Sequence, residues 1–353
     1  MTPVELSRTV LCAVRRAVDA GELSVAVPAR AVVAAPGPGG SGDYATNIAL
    51  QLARPAGRTP RYVAEVLREQ ISAAPGIRGV EITGPGFLNI SLDSAAPAAL
   101  VREIRAQGLR YGHSEALAGQ VLSVRLPGAY EPRAEVVADA LARIVATQGG
   151  RVHLHRGTGE QGGQGERGER GEQRVETLDL RTLPPAPGDP TPLGPDAARW
   201  ALLHPAPHDR PRIGAEHLVQ RESNPLFRVR YAHARTRAVG RNAADLGFTA
   251  HAGDLIDVAD VADVADVPTP LLLVLADHPR LLLGAATHRA PDRLARHLVT
   301  LADATLAFLP TVLPLGDEKP SAAHRARLAL AEAAGTVLAG GLSLLGIDAP
   351  EYL

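Results

Sequence analysis

Cysteine, aromatic residues and long apolar runs are scarce in this chain, and each scarcity excludes a class of protein. A single cysteine, Cys12, among 353 residues cannot form an internal disulfide, which fits the reducing cytoplasm. No signal peptide and no apolar run of about 18 residues is visible, so we expect a soluble, cytoplasmic chain without a membrane partner. Aromatic residues make up 3% and apolar residues 45%, so the cores must be built from Ala, Val and Leu.

Lysine is almost absent as well. Of 37 basic residues, all but Lys319 are arginine, and the formal net charge is −1. This balance predicts neither DNA binding nor membrane binding from bulk charge, although an average can conceal local patches.

A glycine-rich loop, APGPGGSGDYATN, follows a short apolar run and carries Gly37, Gly39 and Gly42 at the G-x-G-x-x-G spacing of dinucleotide sites. Such sites also need a second strand ending in an acidic residue about 20 positions on. Here a helix follows instead, with Thr59 as its N-cap and Pro60 at its first position. The glycines therefore predict a tight turn and not a pyrophosphate site.

The pattern of apolar residues predicts an α+β multidomain chain in three sections. Residues 1–115 form a small α+β domain, 116–190 a truncated α/β section with a low-complexity linker, and 191–353 an all-α bundle. In the bundle we expect helices near 195–203, 214–222, 225–245, 270–283, 291–309 and 321–345.

Within the first section, an opening helix should bury Leu6, Val10 and Val14. SVAV and AVVAA should be strands, and helices should span about 43–54, capped by Asp43, and 60–73. The strand FLNISL should bury one face and present Phe87 and Asn89 on the other.

The middle section contains a strand, VLSVRL, a helix, EVVADALARIVATQ, and a strand, RVHLH, which together make at most one β-α-β unit. His153 and His155 should share a strand face, but without a third ligand nearby we predict no metal site. The Gly/Glu/Arg stretch 157–174 should be mobile, and the DVADVADVADV repeat at 257–267 an acidic loop.

Three stretches together resemble the arginyl-tRNA synthetase family. GDYATNIALQLARPAGRTPRYVAEVL with TGPGFLNISL is similar to that family's N-terminal additional domain. GPDAARWALL followed by NPLFRVRYAHAR resembles the start of its DALR-type anticodon-binding domain, and HRARLALAEAAGTVLAGGLSLLGIDAPEYL resembles its C-terminal end. The resemblance implies a tRNA partner and, in the complete family, ATP-dependent arginine–tRNA ligase activity.

The catalytic core expected between these stretches is truncated. ADALARI resembles the helix after the family's H-x-G-H signature, but the preceding RLPGAYEPRAEVV contains no histidine. No lysine precedes Lys319, so the K-M-S-K-type loop is also missing. Adenylation needs cations that stabilise the triphosphate. We therefore predict no catalytic residues and no cofactor, with ATP required only if residual ligase activity exists.

A local basic patch lies at the start of the helical section, where residues 199–241 hold nine Arg against three acidic residues. At about 100° per residue, Arg230, Arg237 and Arg241 fall on one helix stripe, and Arg228, Tyr231 and Arg235 on another. Arginine suits phosphates and tyrosine can stack on an unpaired base. The alternative is a solvated arginine face with Tyr231 half-buried.

His233 is a candidate base contact or, equally, a core histidine. By resemblance, the predicted tRNA-binding residues of the first domain are Tyr44, Asn47, Phe87 and Asn89. The leading hypothesis is a non-catalytic paralogue of the synthetase, a pseudoenzyme that binds arginine tRNA in an accessory role. The alternatives are a protein-interaction module, with a genuine synthetase or another protein as partner, and residual ligase activity.

Overall fold

The computed structural model describes residues 1–34, 36–37, 40–93, 96–156, 174–252 and 269–353. The glycine Gly39, most of the Gly/Glu/Arg stretch and the DVADVADVADV repeat lie outside the described residues. The fold is mixed α+β with a C-terminal helical domain, as predicted. The chain divides into two compact units, Met1–Arg102 and the described residues of 103–251 and 269–353. The division into sequence domains at 115 and 190 stays a prediction.

The first unit packs helices against a four-stranded antiparallel sheet in the order β1-β2-β4-β3. Its opening helix buries Leu6, Val10 and Val14 completely, as the four-residue spacing predicts. The elements are α1 (Pro3–Asp19), β1 (Val33–Ala34), β2 (Tyr44–Thr46), α2 (Ile48–Ala56), α3 (Pro60–Ser72), β3 (Ile77–Thr83), β4 (Phe87–Leu92) and α4 (Ala96–Gln107), which runs into the second unit.

Two local expectations for this unit are wrong. SVAV is not a strand, and the helix expected from residue 43 begins only at Ile48, because β2 occupies the positions before it. Asp43 does not cap that helix. Its Oδ2 accepts a hydrogen bond from the Leu92 N–H at 2.8 Å, which fastens β2 to the end of β4.

The glycine-rich loop approaches β4 closely. Gly42 has φ +80°, and a Cβ at this position would lie 2.8 Å from the carbonyl oxygen of Ile90. A side chain would therefore be strained and would also collide with β4. The glycine serves chain packing, which agrees with the tight turn predicted for this loop.

The middle section forms a three-stranded sheet in the order β6-β5-β7, with both pairings parallel. The β-α-β unit was predicted, whereas the third strand, RVETLD, was missed because it lies between a low-complexity stretch and a proline-rich linker. The elements are β5 (Gln120–Leu126), α5 (Pro132–Ala146), β6 (Arg151–Arg156) and β7 (Arg174–Asp179).

The C-terminal part is a helical bundle whose long last helix packs against two others, α7 and α9. Its helices are α6 (Gly194–Leu203), α7 (Pro225–Asp245), α8 (Thr269–Thr287), α9 (Pro291–Phe308) and α10 (Ala322–Leu345). A Cβ at Gly341 of α10 would overlap the Leu298 side chain of α9, so this crossing requires a glycine. Five of the six predicted helices are present, and the sixth, at 214–222, is only the 3-10 turn Ala215–Leu218.

By length and composition alone, α10 could cross a membrane, but 72% of its most apolar window is buried inside the protein. A core helix of a bundle has the same composition, because it is apolar on all sides. The packing of α10 accounts for its apolar sequence without a bilayer.

Helix α5 joins the sheet to the bundle. It packs against β6 on one side and against α6, α8, α9 and α10 on the other. Ala140, Leu141 and Ile144 are fully buried in this packing. The Arg199 side chain of α6 pairs with Asp139 of α5, and its Nε donates to the carbonyl oxygen of Leu345 at 2.9 Å.

Two buried histidines hold α8 against α9. His297 Nε2 and His278 Nδ1 are 3.1 Å apart, within hydrogen-bond distance. The ring of Tyr111 stacks on His278 with a centroid distance of 5.8 Å, and its hydroxyl donates to the Leu275 carbonyl at 3.2 Å. This small polar cluster lies inside the second unit.

Candidate functional site

Helix α7 carries the basic patch, and Asn224 fixes its first turn. The buried Asn224 accepts the Leu226 N–H through Oδ1 at 3.1 Å. Its Nδ2 donates to the carbonyls of His217 at 2.9 Å and Val219 at 3.0 Å. One side chain therefore caps α7 and also holds the preceding loop beside it, which explains why that loop does not continue as the predicted helix.

The arginines of the first predicted stripe are contacted by residues 348–353, which we call the tail. Arg237 forms an ion pair with Glu351 at 2.9 Å, and the guanidinium carbon of Arg241 lies 4.2 Å from the centre of the Tyr352 ring. Both arginines thus have intramolecular partners. A nucleic-acid phosphate would have to replace Glu351 at Arg237.

Arg230, the third member of this stripe, lies in the wall of a cavity. It pairs with Asp196 at 3.5 Å and lies 4.0 Å from Asp348. Its side chain is 25% exposed, and its buried Nε has no hydrogen-bond partner in the described part of the chain. Carboxylates of α6 and the tail thus face Arg230 and Arg237, and the proposed role of this stripe in tRNA binding stays a prediction.

In the described part of the chain, the second stripe contains a paired arginine, Arg228, and an arginine without a partner, Arg235. Arg228 pairs with Asp303 of α9 at 3.1 Å. Arg235 is exposed and forms neither an ion pair nor a hydrogen bond with any residue that the structure describes. Among the arginines predicted on α7, Arg235 is the one whose charge is not matched by a described side chain.

An aromatic pair lies beside Arg235. Phe227 and Tyr231 stack with ring centroids 5.4 Å apart and an interplanar angle of 14°. Because the three residues follow one another every fourth position, they form a line along α7. We call Phe227, Tyr231 and Arg235 the ridge. Sequence reasoning missed Phe227, although its position four residues before Tyr231 was the available signal.

A cavity of about 300 Å³ opens beside the ridge, between the first turn of α6 and the loop before α7. Small-molecule sites start at about this volume. Its lining combines an aromatic face, charged groups and apolar side chains, including Phe227, Asp196, Arg230, His217, Leu218 and Leu353. The ridge and this cavity form the candidate site.

His233 takes no part in the exposed surface. It is 5% exposed, and its Nδ1 lies 2.9 Å from the carbonyl oxygen of Pro350. Burial lowers the pKa of the His233 imidazole. Of the two readings given for this residue, the structure agrees with the core histidine that positions the tail.

The four predicted residues of the first unit differ in exposure. Phe87 is 42% exposed, whereas Tyr44 is buried at 5%. Asn47 precedes α2 and accepts a hydrogen bond from Gln51 Nε2 at 2.9 Å. The structure brings Tyr44 and Asn89 into one sheet, where residue 45 is in register with residue 89.

The expectation that Asn89 lies exposed beside Phe87 is wrong. Asn89 is 2% exposed, and its Nδ2 donates to Thr83 Oγ1 at 2.7 Å. Gly40 of the glycine-rich loop lies against its amide oxygen, where a Cβ would be 3.0 Å away. A loop distant in sequence thus covers a residue that strand alternation alone places on the outer face.

The segment that replaces the H-x-G-H signature is used for internal contacts. Arg133 is 1% exposed and donates to the carbonyl oxygens of Pro184 (2.9 Å), Asp209 (2.7 Å) and Ala206 (2.9 Å). Burial lowers the pKa of its guanidinium. Glu131 caps α5 by accepting the Ala134 N–H at 2.7 Å. Sequence analysis missed both roles; the Arg133 contacts depend on loops more than 50 residues away, whereas the Glu131 cap is local.

The comparisons with known proteins agree with this architecture. A family model for the arginyl tRNA synthetase N terminal domain matches residues 5–92, and one for the DALR anticodon binding domain matches residues 229–353. The chain belongs to the arginyl-tRNA synthetase family.

Its relatives are longer than this family member. The arginine–tRNA ligase of Renibacterium salmoninarum is 35% identical over 260 residues, a match that covers 70% of this chain and 45% of the relative. That of Paenarthrobacter aurescens is 27% identical over an alignment of 557 positions, which covers both chains completely. The chain thus matches less than half the length of the first relative, and many positions of the second have no counterpart in its 353 residues.

Solved structures show the same fold. The arginyl-tRNA synthetase of Thermus thermophilus has a TM-score of 0.69 at 16% identity, with both chains covered completely. That of Plasmodium falciparum has a TM-score of 0.65 at 10% identity, with 99% of each chain covered. At these identities the likeness concerns the fold.

Proposed function

We propose that this member of the arginyl-tRNA synthetase family binds tRNA without aminoacylating it, as an accessory or regulatory protein of the cytoplasm. The observation that carries the proposal is the ridge beside the 300 Å³ cavity on α7. The proposed ligand is an arginine tRNA, by analogy with the relatives named arginine–tRNA ligase.

The ridge supplies the contacts that unpaired RNA needs. A base can stack on the Phe227–Tyr231 pair, and a neighbouring phosphate can pair with Arg235. The cavity can take a second base, with Asp196 and Arg230 as hydrogen-bond partners. Phe87, which is exposed on the first unit, is the proposed stacking residue there.

The non-catalytic part of the proposal rests on the truncated core. Glu131 and Arg133, which occupy the segment of the first signature, are engaged in a helix cap and in three backbone contacts.

The test compares arginine tRNA binding by the wild type, Tyr231→Ala and Arg235→Glu, with Arg15→Glu on the first unit as an exposed charge control. We expect Tyr231→Ala to lose about 1–3 kcal/mol of binding free energy through stacking. Arg235→Glu should weaken binding and flatten its salt dependence, because one phosphate contact is lost. Equal binding by the wild type and both ridge variants would contradict the proposal, and sequencing of co-purified RNA identifies the ligand.

A protein partner is the second candidate, because apolar side chains are exposed at the rim of the same cavity. Leu218 is 53%, Val219 37% and Leu353 55% exposed. Clustered exposed apolar residues are typical of interaction surfaces. Leu218→Asp would then abolish capture of a genuine synthetase while leaving tRNA binding unchanged. Under the leading proposal, the ridge variants reduce tRNA binding more than Leu218→Asp does.

A further inference from the structure

The tail that contacts the α7 arginines has an anchored part and an exposed part. Directly before the tail, Ile347 is 3% exposed, and the Asp348 N–H donates to Asp196 Oδ1 at 3.1 Å. The carbonyl oxygen of Pro350 lies 2.9 Å from the buried His233 Nδ1. These contacts fix the chain as far as Pro350 and leave the residues after it on the surface.

The exposed part of the tail consists of Glu351, Tyr352 and Leu353. The Glu351 side chain is 54% exposed, and Tyr352 is 71% exposed. Their contacts are the ion pair with Arg237 at 2.9 Å and the ring contact with Arg241 at 4.2 Å. Exposed ion pairs and exposed cation–π contacts are weak, because water competes for both partners. Another ligand of the same chemistry can therefore displace this part of the tail.

Glu351 and Tyr352 place an anion and an aromatic ring in consecutive positions. A nucleotide combines the same two groups, since it carries a phosphate and a base. Arginines pair with phosphates, and bases stack on guanidinium planes as well as on aromatic side chains. Arg237 and Arg241 lie four residues apart on α7, so their side chains are neighbours and one ligand can contact both.

A groove of about 650 Å³ lies beside these contacts, between α7 and α10. Arg237, Arg241 and Glu351 line it, and this volume is ample for a nucleotide. Glu332, on the α10 side of the groove, pairs with an arginine of α4 at 3.5 Å, so its charge is already matched. A ligand that displaces Glu351 would find both space and positive charge.

We propose that the exposed part of the tail is an intramolecular substitute for RNA. Glu351 occupies the place of a phosphate on Arg237, and Tyr352 occupies the place of a base on Arg241. Binding of tRNA to these arginines requires Glu351, Tyr352 and Leu353 to move aside. Because Leu353 also lines the 300 Å³ cavity beside the ridge, the same movement opens the rim of that cavity. The inference rests on the proposed tRNA binding and adds its regulation.

The two contacts set the strength of this inhibition. A ligand that needs the open tail binds with an affinity reduced by the fraction of molecules in which the tail is open. One exposed ion pair and one exposed cation–π contact each favour the closed tail about two- to fivefold. Together they should reduce the tRNA affinity about 4- to 25-fold.

The experiment measures filter binding of arginine tRNA to the full chain and to the variant Glu351→Gln/Tyr352→Ala. We expect the variant to bind about 4- to 25-fold more tightly than the wild type, because both closing contacts are lost. The matched control Glu69→Gln/Tyr130→Ala makes the same two changes at exposed positions away from the tail, and it should bind like the wild type. Melting temperatures of the three proteins verify that each is folded.

Limited digestion of the wild type with a protease that cleaves after glutamate measures the movement of the tail. Saturating arginine tRNA should accelerate cleavage after Glu351, because the displaced side chain no longer pairs with Arg237. Mass spectrometry identifies the cleaved position. Slower cleavage in the presence of tRNA would overturn the inference, since the tail would then lie against the RNA.

The binding results separate this inference from the proposed function. If the wild type and the tail variant bind tRNA equally, or if the variant binds more weakly, the inference is wrong and the proposed function stands. If neither protein binds tRNA, the proposed function is wrong, and its regulation by the tail with it.

Discussion

Arg230 and Arg235 lie five residues apart on α7, yet their surroundings make them respond differently to substitution. Arg235 is exposed and pairs with no residue that the structure describes, so Arg235→Glu should change the free energy of unfolding by no more than about 0.5 kcal/mol. Arg230→Glu would bring a third carboxylate towards Asp196 and Asp348 and should cost about 1–3 kcal/mol. Thermal unfolding of the two variants checks the difference. Equal melting temperatures would show that the Arg230 pairs contribute nothing.

The carboxylate of Glu351 would compete with RNA phosphates for Arg237. It neutralises Arg237 at 2.9 Å, and both side chains are about half exposed. If RNA approaches this stripe, Glu351→Gln should raise the tRNA affinity about two- to fivefold, the value of one exposed ion pair. Filter binding measures the change, with Glu69→Gln on the exposed surface of α3 as the control. A lower affinity would mean that the carboxylate itself contacts the RNA.

Periodicity placed the α7 arginines on the correct stripes, but it could not indicate which of them were free. The tail that pairs with Arg237 and Arg241 is more than 100 residues away in sequence. Asn89 illustrates the same limit, because the glycine-rich loop that covers it is about 50 residues distant. Local pattern gives the face of an element, whereas tertiary contacts determine what covers it.

The paired histidines between α8 and α9 make the contact between these two helices sensitive to acid. Burial lowers the pKa of His297 to about 4 and that of His278 well below its ordinary value. The groups that act on the pair are His113, which disfavours charge on His278, and Asp277 and Arg280, which act on His297 in opposite directions. Both imidazoles are therefore neutral in the folded state near neutral pH.

Because the folded pKa is depressed, the unfolded chain binds more protons between pH 4 and about 6.5. Stability should fall as the pH decreases through this window, by up to about 3 kcal/mol from His297. Urea unfolding at several pH values measures the effect, and His297→Gln should have a flatter profile than the wild type. Parallel profiles would show that His297 does not contribute.

The helices of the bundle were predictable because their caps and apolar spacing are local. Asn224 and Pro225 mark the start of α7, and the predicted span 225–245 is the observed one. The strand β7 was not predictable in this way, since it is held by its pairing with β5, more than 50 residues earlier. The expected helix at 214–222 failed because the Asn224 side chain binds two carbonyls of that segment instead.

For the whole molecule, the truncated core predicts that the purified chain catalyses no arginine-dependent exchange between pyrophosphate and ATP. Residues 116–190 contain neither an H-x-G-H sequence nor a lysine, and adenylation needs cations that stabilise the triphosphate. An exchange assay with an active synthetase as the positive control measures this. Exchange activity that co-elutes with the chain through successive columns would favour the residual ligase.

Helix α5 limits which parts of this chain can be produced separately. Its buried residues face four helices of the bundle, and Arg133 ties two loops to it, one at Pro184 and one at Ala206–Asp209. The helical domain produced alone would therefore expose apolar surface on α6 and α10 and leave the carbonyl oxygens of Ala206 and Asp209 without their donor. The ADALARI sequence, which resembles a helix next to a catalytic signature, would then be needed for the packing of the bundle. Helix α5 is the element on which both the sheet and the bundle pack, so its apolar residues have a structural use that does not depend on any reaction.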